Sequence, residues 1–169
     1  MDEVRKLNEP FADLYRLIQK HYSLVEALLS LAKRHSNLLC RDDVSGLMDV
    51  AREEETLAAK IGEEEKLLKN MLEELILALR LPVGSSLKDL SHLAPDEVRK
   101  DFTKILPALS DRLKELIAVN DINRLLTQRA VRFNEKLLHA FVPDAGRTYQ
   151  PSGNLRESAG RASLLNRTV

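Results

Sequence analysis

The chain has 169 residues, with 26 Lys plus Arg set against 26 Asp plus Glu, 4% aromatics and no tryptophan. That balance argues against a nucleic-acid binder, whose affinity rests on a basic excess that neutralises phosphates. The Leu-, Glu- and Lys-rich composition argues against a sheet protein, and no apolar run reaches the roughly 18 residues of a membrane span.

Leu7, Phe11, Leu14, Ile18, His21, Val25, Leu28, Ala32, His35 and Leu39 recur at alternating steps of four and three. This is the heptad seam of a long helix. Leu17, Leu24, Leu31 and Leu38 run beside it at seven and widen the apolar face to what a several-helix bundle needs. Pro10 is read as a first-turn residue, where its missing N–H has no helical acceptor.

Cys40-Arg41-Asp42-Asp43 is a polar break, with Asp43 or Asp42 as the N-cap of a second helix from Val44 to Leu79. Its seam is Leu47, Val50, Leu57, Ile61, Leu68, Met71 and Leu75. Gly46 and Gly62 each cost this helix up to about 1 kcal/mol relative to alanine. Two long helices joined by so short a break predict an antiparallel hairpin.

Leu81-Pro82-Val83-Gly84-Ser85-Ser86 supplies turn chemistry, and Ser86 caps a short helix through Leu87, Leu90 and Leu93. Pro95-Asp96-Glu97 restarts a helix, and Pro107 is expected to kink or break it. From Leu109 the seam resumes through Leu113, Leu116, Asn120, Asn123, Thr127, Ala130, Asn134, Leu137 and Phe141. A rotated apolar set, Val119, Ile122, Leu125, Leu126, Val131 and Leu138, lies near it. After Val142 the periodicity stops, and Ser, Arg, Gly and Asn dominate.

The expected architecture is therefore all-α, a long antiparallel helical hairpin plus a further long helix in a three-helix, coiled-coil-like bundle. Residues 1–142 form the bundle domain, and residues 143–169 a tail expected to be flexible and to bind partners. The same seams permit closure within one chain or between copies in a homo-oligomer.

Few residues offer catalytic chemistry. His21 and His35 stand roughly 21 Å apart on one helix, too far to share a metal whose ligands lie about 2 Å away. His92 and His139 have no Cys or His cluster nearby in sequence. Packing is the expected role of all four. Cys40 reads as a small apolar residue. A single cysteine forms no internal disulfide, and the charged N-terminus leads into no signal-peptide core. A reducing, cytoplasmic compartment follows as the expectation.

The triplets Glu53-Glu54-Glu55 and Glu63-Glu64-Glu65 fan around a helix at about 100° per residue and read as a solvated face. No phosphate loop, G-x-S-x-G or H-E-x-x-H is present. No enzyme, cofactor or metal is expected.

Asn120, Asn123 and Asn134 stand on a seam where leucine would pack better. Asparagine at such positions fixes register and partner choice, or marks a solvent-facing side. Val119-Asn120-Asp121-Ile122-Asn123-Arg124-Leu125-Leu126, followed by Phe133-Asn134-Glu135-Lys136-Leu137-Leu138, resembles the last helix of the FlgN family of flagellar export chaperones. Thr148-Tyr149-Gln150-Pro151-Ser152-Gly153 is similar to the T-Y-x-x-x-G tail of that family.

The resemblance implies a cytoplasmic chaperone for the C-terminal segments of hook–filament junction (hook-associated) proteins. It would keep them unassembled and deliver them to the type III export gate and its ATPase complex at the membrane, without being membrane-embedded itself. Val119, Asn120, Asn123, Leu126, Val131, Asn134, Leu138 and Phe141 are the expected client-binding residues, and Tyr149 the residue that docks on the export gate. The hairpin alone equally suits a generic helical scaffold or adaptor. Arg147, Arg156, Arg161 and Arg167 would instead suit a nucleic-acid or membrane-surface binder.

Overall fold

The structure, a computed structural model, describes the backbone of residues 2–141 and the side chains of residues 8–141. Four helices and no strand occur among the described residues: α1 (Asp2–Leu39), α2 (Val44–Ala78), α3 (Leu87–Leu93) and α4 (Asp96–Phe141). The chain divides into two compact units, Met1–Thr127 and Gln128–Val169, and α4 contributes to both.

In the first unit α1 supplies half of the core. Phe11, Leu14, Ile18, Val25, Leu29 and Ala32 are buried on it, and α2 adds Leu75. Leu90, Ala94, Phe102, Leu109 and Leu116 complete the cluster from α3, the α3–α4 junction and α4. The heptad seam thus packs as its spacing requires, with the parallel leucine line half-buried beside it.

Helices α1 and α2 form the expected antiparallel hairpin. Lys20 pairs with Glu64, while Arg34 reaches Glu53 at 3.3 Å and His35 Nδ1 reaches Glu54 at 2.9 Å. Glu54 and Glu64 depart from the reading of the acidic triplets as a solvated face, Glu64 being 7% exposed and Glu54 half-buried, while Glu53, Glu55, Glu63 and Glu65 are exposed as expected. The reason is the seam itself. Positions 54 and 64 fill its two gaps, so the middle residue of each triplet faces α1 while its neighbours fan outward.

Asp43 caps α2, its Oδ1 accepting from the Gly46 N–H at 3.0 Å. The same close approach restricts Gly46, where a Cβ would meet Asp43 Oδ2 at 2.8 Å and Leu38 Cδ2 at 2.9 Å. At Gly62 a Cβ would meet nothing within 4 Å. Gly62→Ala is therefore expected to raise stability by about 0.5–1 kcal/mol, read as a higher urea midpoint; a lower midpoint would contradict the open space at that position.

The α2 end is a Schellman turn, with Arg80 N–H bonded to Leu77 O and Leu81 N–H to Ile76 O. Arg80 takes the left-handed conformation at φ 54°. Ser86 then caps α3 in a full capping box: its Oγ accepts from the Asp89 N–H at 3.2 Å, and its own N–H donates to Asp89 Oδ2 at 2.8 Å. Donation from the Ser86 hydroxyl, then from its backbone N–H, holds the Asp89 carboxyl below the usual carboxylate range.

A depressed folded pKa contributes stability above the unfolded value and loses it as pH falls through the folded one. Ser86→Ala should therefore lower the urea midpoint at neutral pH, and its difference from wild type should shrink in acid. A constant difference across that range would rule out Asp89 as the titrating partner.

Pro10 lies deeper in its helix than expected, and of the two outcomes expected at Pro107 a break does not occur. Pro10 lies two turns inside α1, not in its first turn, because the helix begins at Asp2. Pro107 does not break α4, which continues unbroken to Phe141. Its ring removes the donor for the Thr103 carbonyl, but both residues face solvent, where water can occupy that acceptor. Cys40 is exposed in the α1–α2 turn, not packed as a small apolar residue.

Candidate partner-binding helix

Within the first unit α4 runs parallel to α1, because the chain reverses once at each end of α2. Tyr15 meets Phe102 edge to face with ring centroids 5.7 Å apart. Farther along, Glu26 pairs with Arg112 at 3.2 Å, and Lys33 pairs with Glu115 at 2.6 Å. Asn123 closes the series: its Nδ2 donates to the Ala32 carbonyl at 2.8 Å, and its Oδ1 accepts from the Ser36 hydroxyl. The Tyr15–Phe102 and Ser36–Asn123 pairs share one register.

Charge reinforces the contact. The Tyr22 hydroxyl donates to Glu26 at 2.8 Å, and Arg112 bridges Glu26 and Glu115. Hydrogen bonding to Tyr22, then to Glu115, raises the Arg112 pKa and keeps it charged. Lys33 and then Arg112 hold the Glu115 carboxyl below its usual range. The network is solvent-open, so it sets register more than it stabilises.

The residues singled out in the sequence meet different environments. Val119 is half-buried against the core, Leu126 is half-buried, and Asn120 is exposed. Asn123 is 7% exposed, and both ends of its amide are engaged by α1. A polar residue on that seam is satisfied here within the chain. Ile117, Ile122 and Leu125, all more than half exposed, lie on the other sides of α4 in this unit.

In the second unit, residues 128–141 form one continuous stretch of α4. Val131 is 50% exposed, Leu138 57% and Phe141 80%, and Asn134 is open as well. Phe133 (62% exposed) and Leu137 belong with them, beyond the residues the sequence marks as client-binding. At about 100° per residue, Ala130, Val131, Phe133, Leu137, Leu138, Ala140 and Phe141 occupy one half of the helix circumference, roughly 180°. Asn134 sits within that half. Gln128, Arg129, Arg132, Glu135, Lys136 and His139 share an arc of roughly 120° on the other side.

The signal for Phe133 lies in that wheel, which a strict four–three seam cuts too narrowly, whereas Leu137 is on the seam itself. Tyr149 and residues 143–169 lie outside the described residues.

An amphipathic helix whose apolar half is open can bind another amphipathic surface. Among the described residues no group of His, Cys, Asp or Glu could hold a metal, and no helix is long and apolar enough to cross a membrane.

The family model described as FlgN protein matches residues 10–157, a stretch that includes all of α2, α3 and α4 and most of α1. No curated protein and no solved structure matches the chain. The all-helical bundle and a match over most of its length agree: the chain belongs to the FlgN family, a family of flagellar export chaperones.

Proposed function

We propose that this protein is a cytoplasmic, substrate-specific chaperone for the C-terminal helical segments of hook-associated flagellar proteins. It prevents their premature assembly and delivers them to the flagellar type III export apparatus. The observation that carries this reading is the open apolar half of residues 128–141 in a chain of a chaperone family. A client segment that would self-assemble through its own apolar stripe is kept unassembled by laying that stripe on such a helix.

Within Met1–Thr127 the reading rests on Val119, Asn120 and Leu126, and within Gln128–Val169 on Val131, Asn134, Leu138 and Phe141. Asn123 enters as the residue that fixes α4 against α1, not as a free contact. A photo-crosslinking amino acid placed at position 138 tests the surface. Capture of a hook-associated segment at 138, and none at solvent-facing position 132, supports the reading; equal or absent capture at 138 refutes it.

Tyr149 is assigned to docking on the export gate, on the resemblance of its tail motif alone. Tyr149→Ala is expected to leave client affinity unchanged and to abolish association with the export gate in a pull-down. Normal gate association by that variant would remove Tyr149 from the account.

A further inference from the structure

The charged side of residues 128–141 is as distinctive as the apolar one. Arg129, Arg132 and Lys136 stand there against a single carboxylate, Glu135, in a chain whose overall charge is zero. Among the described residues none of these three cations lies within ion-pair distance of a carboxylate. Arg129 and Lys136, seven residues apart, border the apolar half on its Phe133 and Ala140 side.

We infer that residues 128–141 form an interfacial helix that binds the surface of an anionic phospholipid bilayer. Two features suit that face to a lipid surface when no client segment covers it. The apolar side spans about half of the helix circumference and the charged residues gather on the other side, which is the division an interfacial helix needs. The cations bordering that half are placed to extend toward lipid phosphates while Val131, Phe133, Leu137, Leu138 and Phe141 enter the acyl boundary. A second copy of the chain meeting this face antiparallel would oppose Arg129 and Lys136 to their own counterparts, which is repulsive.

The binding would be weak and reversible, since the stretch is short and carries few charges. Such a helix concentrates the protein at the membrane, and the inference stands whether or not hook-associated segments are the clients.

The test is co-sedimentation of the full chain with vesicles, without any client present. Vesicles containing phosphatidylglycerol are compared with pure phosphatidylcholine at the same salt. The expected result is pelleting with phosphatidylglycerol only. The double variant R129Q/K136Q should reduce that partitioning roughly 30-fold, the effect of two cations near an anionic surface. F141S should weaken it too, although 80% exposure makes that change harmless to the fold.

No pelleting with phosphatidylglycerol overturns the proposal. So does equal pelleting with both lipids, or pelleting that R129Q/K136Q leaves unchanged, which would move the binding to other basic residues. Client affinity of R129Q/K136Q, measured separately by calorimetry, separates a failure of this inference from a failure of the chaperone reading.

Discussion

Phe102→Ala is expected to destabilise the protein by about 3–5 kcal/mol, as a large aromatic removed from a filled site leaves a cavity its neighbours close only in part. Phe102 is fully buried and packs edge to face on Tyr15, holding the first turns of α4 against α1 and α3. Against a typical stability of about 5–15 kcal/mol, a loss of this size brings much of the population near unfolding at ordinary temperature. Urea denaturation followed by circular dichroism measures it. A shift below about 1 kcal/mol would mean that Phe102 does not anchor α4 as described.

The opposite pattern is expected for Val131, Leu138 and Phe141. Each is at least half exposed, so replacing all three with serine should change folding stability by no more than about 0.5 kcal/mol per site. The same triple variant should lose client affinity by at least about 100-fold, since apolar anchors carry most of the energy of a helix-in-groove contact. The two readouts, melting temperature and titration, should therefore separate completely. Retained affinity would move the client surface elsewhere, and a large stability loss would show that these side chains already have a partner within the protein.

Much of the fold was legible because the dominant signal is a period. The four–three spacing from Phe11 to Ala32 marks a buried face without any knowledge of its partner, and Asp43 and Ser86 cap the helices they were expected to cap. What periodicity cannot say is what lies opposite. Glu54 and Glu64 fall on the α2 seam, yet acidic triplets read as solvated until Lys20 and His35 are seen to face them.

Asn123 illustrates the same limit from the other side. Its seam position announced a special role, but a hydrogen bond to the Ala32 carbonyl 91 residues earlier has no local trace. Pro107 leaves α4 continuous because the carbonyl its ring frees is exposed to water, and exposure is a tertiary property. The apolar half of residues 128–141 was readable in outline through Val131, Leu138 and Phe141. It was undercounted because a surface built to meet an outside partner is wider than a bundle seam.

The central claim is that the open face of α4 receives a client. Its most direct test is a calorimetric titration of the intact, folded chain with C-terminal segments of the hook-associated proteins from the same organism. The account predicts saturable binding that survives moderate salt and disappears when Val131, Leu138 and Phe141 are replaced by serine. Absence of binding to every such segment, by protein shown to be folded, would contradict it.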